Sequence, residues 1–181
     1  MDNPAPPRRL FFALWPAAAE RAAIAAWQPV LQGLCGGRAM RPDTLHCTLA
    51  FLGAVPEARL EALRCLAQEV DCPEFTLRWT AAHYWGHNHI VYGAPLESPP
   101  ELIALVQTLQ ARLRAHRFAF EQHPYRAHVT LLRNAHWTDA PLPAMPGVTW
   151  QVRDFALVQS LGDAAGARYE VLQRFGSSGL E

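Results

Sequence analysis

Leu45-His46-Cys47-Thr48-Leu49-Ala50-Phe51-Leu52-Gly53 and Ala127-His128-Val129-Thr130-Leu131-Leu132-Arg133-Asn134-Ala135 are two short apolar runs that share the tetrad His-x-Thr-Leu. Both have strand character. In an extended strand, residues two apart point to one face. His46 with Thr48, and His128 with Thr130, therefore project together, while Cys47 with Leu49, and Val129 with Leu131, face apolar packing. The two histidines lie 82 residues apart, a little under half of the 181-residue chain. That spacing predicts two similar halves, each giving one His/Thr pair to a shared site.

Upstream of the first tetrad, residues 1–8 are a Pro-rich, loose leader and Arg9 to Leu14 read as a first strand. Arg8-Arg9 followed by LFFALW imitates an export signal. The run is only six residues before Pro16, shorter than the usual h-region of about 7–15, so a strand is expected instead. Ala-rich Pro16 to Leu34 predicts one helix ended by Gly36-Gly37. The first His/Thr strand spans Leu45 to Leu52, and Pro56-Glu57 open a helix with Leu60, Leu63, Ala67 and Val70 on one face. Phe75 to Trp85 and His89 to Gly93 are strands around a turn at Gly86-His87-Asn88. Ser98-Pro99-Pro100-Glu101 has the form of a capped helix start, with Leu102, Leu105 or Val106, Leu109 and Leu113 as the buried stripe. The second His/Thr strand covers Ala127 to Leu132, a Pro-rich loop covers Pro141 to Pro146, and Thr149 to Gln159 and Arg168 to Phe175 are two late strands. Mixed order with long antiparallel candidates indicates an α+β fold. No linker divides the chain, so residues 9–175 are expected to form a single domain of two lobes around a cleft. Residues 176–181 (GSSGLE) are expected to be a disordered tail.

Composition narrows the function. Half of the residues are hydrophobic and 18% are charged, the profile of a globular chain and not of a disordered one. Sixteen arginines balance sixteen acidic residues, which argues against tight non-specific binding along polynucleotide backbones but permits a substrate with one or two phosphates. Cys35, Cys47, Cys65 and Cys72 have no metal-ligand spacing and read as reduced thiols of a cytoplasmic protein. No stretch reaches the roughly 20 apolar residues of a membrane span.

Two imidazoles facing one another divide acid and base work. A neutral ring takes a proton from the attacking group, and a protonated ring donates to the leaving oxygen. The two threonine hydroxyls add neutral donors for non-bridging phosphate oxygens. This equipment suits transfer at a phosphodiester without a metal or other cofactor, and a strained cyclic phosphate is a favourable target.

RPDTLHCTLAFLG and PYRAHVTLLRNA, with RLFFALWP near the start and ARYEVLQRF near the end, resemble the two-histidine phosphoesterases, specifically the bacterial RNA 2′,3′-cyclic phosphodiesterase (2′-5′ RNA ligase) branch. The resemblance implies pseudo-symmetric antiparallel-sheet lobes with helices outside and a V-shaped central cleft. It also implies metal-independent hydrolysis of 2′,3′-cyclic phosphate RNA ends to 2′-phosphates. His46 would then be the proton donor to the departing 3′-oxygen, His128 the acceptor that activates water, and Thr48 and Thr130 the phosphate holders. Arg133 matches an arginine near the site in the family. Two positions depart from the family: Ala127 stands where proline is common, and Cys47 replaces an aliphatic residue.

Among secondary candidates, Tyr125 is the preferred base-stacking ring, core packing is expected of at least two of Phe11, Phe12 and Tyr125, and Arg38 and Arg41 either steer phosphates to the cleft or are solvated surface residues. His83, His87 and His89 straddle a turn and lack a carboxylate or cysteine to complete a metal set. The expected partners are RNA ends or small nucleotides bearing a cyclic phosphate, acted on by a monomer with no obligate protein partner and no membrane. A cyclic phosphodiesterase for another small nucleotide and a non-catalytic module for RNA ends are the alternatives.

Overall fold

The first strand, β1 (Arg8–Leu14), is buried on both faces, as its unbroken apolar run requires. Leu10, Phe12 and Leu14 enter the main core, whereas Phe11 and Ala13 join a smaller cluster with Trp15, Ala156 and Val158. The computed structural model describes residues 5–162 and 166–176. After β1 come α1 (Ala18–Ala25), α2 (Gln28–Cys35), β2 (Arg38–Ala39), β3 (Cys47–Val55), α3 (Leu60–Gln68), β4 (Phe75–Trp85) and β5 (Ile90–Pro95). The chain continues through α4 (Pro100–Ala115), β6 (Val129–Arg133), β7 (Val148–Val152), β8 (Asp154–Ser160) and β9 (Tyr169–Gly176).

All of these strands join one antiparallel sheet in the order β7-β4-β5-β6-β3-β1-β8-β9, with β2 added to β6. The two His/Thr strands, β3 and β6, are therefore central neighbours, one in each half of the sheet. They touch through one pair of residues, Cys47 opposite Val129, and diverge beyond it. In antiparallel register this sets His46 across from Thr130 and Thr48 across from His128. The Cys47–Val129 pair sits at the middle of the strand order, with β7, β4, β5 and β6 on one side and β3, β1, β8 and β9 on the other. Cys47, Leu49, Val129 and Leu131 are at most 3% exposed and lie in the main core, so the opposite face of both strands carries the histidines. Helices pack across lobes: α1 and α2 follow β1 but lie against β7, β2 and β6, whereas α4 follows β5 and lies against β3.

Several sequence expectations change. Arg8 is not part of a loose leader but pairs with Val55 in the sheet and forms an ion pair with Glu57. Residues 5–7 of the expected leader are exposed and form no regular element, residues 1–4 and 177–181 lie outside the described residues, and Gly176 is the last residue of β9. The single helix expected over 16–34 is two helices broken at Ala26-Trp27. Pro29 has no amide hydrogen and its ring collides with the carbonyl four residues back, so α1 stops at Ala25 and Pro29 occupies the first turn of α2. Ser98 does not cap α4; Pro99 is the capping residue and no side chain bonds there. The strand expected over 149–159 is two strands that part at Arg153: β7 pairs with β4 in one lobe, while β8 pairs with β1 and β9 in the other.

Candidate active site

Each catalytic candidate is oriented by the same local device. The Nδ1–H of His46 donates to the Thr44 carbonyl at 2.6 Å, and the Nδ1–H of His128 donates to the Arg126 carbonyl at 2.9 Å. A carbonyl only accepts, so Nδ1 carries the hydrogen in both rings and Nε2 is left for chemistry. The Thr48 hydroxyl donates to Nε2 of His46 at 3.1 Å, as expected for side chains two apart on a strand. His46, Thr48, His128, Thr130 and Arg133 all line one cavity of about 280 Å³ in the groove between β3 and β6.

The wall also contains residues that were not singled out from sequence. Arg9 of β1, Ser160 of β8 and Tyr169 of β9 stand in one cross-strand row along the lobe that carries His46. Only their pairing register brings them together, because Arg9 and Tyr169 come from opposite ends of the chain. Arg9 had one readable signal: it lies two residues before Phe11, which also lines the cavity. Aromatic rings brace each histidine. His46 stacks on Trp15 at 5.5 Å and meets Tyr169 edge-on at 5.2 Å, and His128 meets Trp85 edge-on at 4.8 Å.

Electrostatics keep the resting rings neutral. Burial lowers the pKa of His46 from 6.5 to about 4, against the opposing pull of its bond to Thr44, and the nearby charges of His128 and Arg133 lower it further. Burial also lowers His128, with contributions from His123 and Arg133. Arg133 itself is held by a close backbone approach. Gly37 lies against the end of β6 at φ +80°, and a Cβ there would stand 2.6 Å from the Arg133 carbonyl oxygen, so only glycine fits.

The remaining candidates go elsewhere. Tyr125 does not line the catalytic cavity; its hydroxyl sits 3.6 Å from the Cys47 thiol, which burial pushes up to about 11, and its ring lines an adjoining cavity. Phe12 is fully buried in the core. Arg38 pairs with Arg133 across β2 and β6, and Arg41 binds Asp43. The hairpin histidines disperse: His83 packs on Tyr92, His87 on Trp85, and His89 bonds to the Tyr84 hydroxyl at 3.0 Å.

A curled antiparallel sheet with a His/Thr pair from each central strand defines a two-histidine phosphoesterase. The chain belongs to the 2′-5′ RNA ligase superfamily, whose model matches residues 14–164. It is 33% identical over 171 residues to the RNA 2′,3′-cyclic phosphodiesterase of Escherichia coli, covering 93% of this chain and 96% of that relative. It is 30% identical over 185 residues to the protein of the same name from Thermus thermophilus, covering 94% and 91%. Among solved structures, Escherichia coli LigT complexed with 3′-AMP superposes with a TM-score of 0.85 at 32% identity, over 94% of this chain and 98% of that one. TT0787 of Thermus thermophilus superposes with a TM-score of 0.76 at 28% identity, over 96% of this chain and 100% of that one.

Proposed function

We propose that the protein is an RNA 2′,3′-cyclic phosphodiesterase that opens cyclic phosphate ends to 2′-phosphates by two-histidine acid–base catalysis. The observation that carries this reading is the pair of Nδ1-anchored imidazoles lining one cavity, each with a threonine from its own strand. The relatives named as RNA 2′,3′-cyclic phosphodiesterases support it. His128 takes a proton from water through Nε2 as the oxygen attacks phosphorus. His46, protonated at Nε2, gives its proton to the departing 3′-oxygen. Thr48, Thr130 and Arg133 hold the non-bridging oxygens. With an RNA 5′-hydroxyl in place of water, the same steps yield a 2′-5′ linkage. A module that only bound phosphate would need no matched acid–base pair. The protein is proposed to act as a monomer in the cytoplasm; its four cysteines form no disulfide, in keeping with a reducing compartment, and among the described residues no helix is long and apolar enough to cross a membrane.

Because the imidazoles supply both proton transfers, hydrolysis of 2′,3′-cyclic AMP is expected to continue at an unchanged rate in excess EDTA and to give 2′-AMP. Loss of turnover on chelation would refute the mechanism, and release of 3′-AMP would show that the 2′-oxygen departs instead.

The pH dependence follows from the lowered pKa values. The active form has one ring protonated and one neutral, so the rate falls once both are protonated or both are neutral. In the free enzyme both rings titrate below 6.5, His46 near 4, which places the bell in kcat/KM on the acid side of 6.5. A bound phosphodiester anion favours the imidazolium and raises both values. The bell in kcat, which reports the complex, is therefore expected at higher pH than the bell in kcat/KM, with apparent values that belong to the pair. Coincident bells in the two profiles would contradict this coupling.

A further inference from the structure

The catalytic cavity has a neighbour of equal volume, about 280 Å³. Arg9, Thr48, Phe51 and His128 line both, whereas His46 lines only the first. In-line displacement at phosphorus sets the entering and leaving oxygens on opposite sides. With His46 at the departing 3′-oxygen, the entering group comes from the His128 side, where this second cavity lies. A water molecule needs none of that room. The wall suits a nucleotide: Tyr125 contributes a ring of the kind on which bases stack, and Arg9, whose guanidinium lies over the Phe51 ring at 4.8 Å, and Arg126 contribute guanidinium groups for phosphate. Its one carboxylate, Glu121, is paired with His123 at 3.4 Å.

We infer that the second cavity is an acceptor subsite, seating the nucleoside whose 5′-hydroxyl attacks in place of water. This rests on the acid–base assignment proposed above and extends it to the second RNA end. The 5′-hydroxyl proton passes to Nε2 of His128 as the O5′–P bond forms. The P–O3′ bond breaks, and the 3′-oxygen takes the proton from Nε2 of His46, leaving a 2′-5′ diester and a 3′-hydroxyl. Cleavage of that diester is the same path reversed: the 3′-oxygen attacks and the 5′-oxygen leaves with a proton from His128.

Gln110 tests the subsite without touching the chemistry, since this half-buried α4 residue lines only the second cavity and is uncharged. Wild type, Gln110→Trp and Gln110→Ala should be compared on two substrates, 2′,3′-cyclic AMP and 2′-5′-linked adenylyl adenosine. Filling the cavity with Trp is expected to lower kcat/KM for the dinucleotide by at least tenfold while hydrolysis of the cyclic nucleotide stays within twofold. The Ala variant, which leaves the space open, is expected to keep dinucleotide cleavage within threefold. Undiminished cleavage by Gln110→Trp would overturn the subsite, as would a wild type that hydrolyses the cyclic nucleotide but never cleaves the 2′-5′ bond. A wild type inactive on the cyclic nucleotide would instead refute the underlying function, and the subsite with it.

Discussion

His46→Ala is expected to slow hydrolysis of 2′,3′-cyclic AMP by about 10²–10⁴-fold, and His128→Ala by a similar factor, the usual contribution of a positioned acid or base. In the proposed mechanism each ring performs one of two proton transfers in the same displacement, so the transition state is lost when either is missing. The double variant should be little worse than the slower single one, because residues that act as a unit are non-additive. Thr48→Ala and Thr130→Ala remove one hydrogen bond to a charged oxygen each, worth about 1.5–3 kcal/mol, and should cost about 10- to 150-fold. Thr48→Ala also frees Nε2 of His46 from its 3.1 Å bond. Single-turnover rates, with circular dichroism to verify folding, are the measurement. Retention of more than a tenth of wild-type turnover by either histidine variant would rule out paired acid–base catalysis.

Trp27→Ala is expected to destabilise the protein by about 3–5 kcal/mol, the range for deleting a large buried aromatic side chain. Trp27 is 1% exposed, and its ring packs so closely on β5 that a Cβ on Gly93 would stand 3.3 Å away. Gly93 is paired with Val129, the central residue of the second motif, so Trp27 supports the strand that presents His128. Its Nε1–H also donates to the Pro146 carbonyl at 3.0 Å, tying the start of α2 to the loop before β7. The alanine variant opens a cavity and leaves that carbonyl without its donor. At about 2–4 °C per kcal/mol for a chain of this size, the melting temperature should fall by about 10 °C. A fall of under about 2 °C, less than 1 kcal/mol on that scale, would mean that the site collapses around the smaller side chain and that Trp27 does not brace the motif.

The two motifs were legible because their information is local. A strand repeats every two residues, so His46/Thr48 and His128/Thr130 declare a shared face without any knowledge of the rest. The helical stripe of α4 was legible for the same reason, and all of Leu102, Leu105, Val106, Leu109 and Leu113 are buried. The break between α1 and α2 was also written locally, in Pro29, although the alanine-rich pattern around it suggested one continuous helix. The split of 149–159 was different. Alternation runs through both β7 and β8, and only their partners, β4 for one and β1 with β9 for the other, separate them.

Sequence by itself determined the two His/Thr pairs proposed to carry the chemistry, the α+β class and the identity of most elements, since propensity and periodicity act over a few residues. Tertiary structure alone decided that β3 and β6 are neighbours, with Cys47 set against Val129, and that Arg9, Ser160 and Tyr169 complete the wall. It also set the protonation of the site, because burial, which lowers His46 to about 4, arises only when distant parts of the chain exclude water from the ring. The physical reason is common to all three. Strand order, register and desolvation come from contacts between residues far apart in the chain, and no local pattern encodes which distant partner will be met.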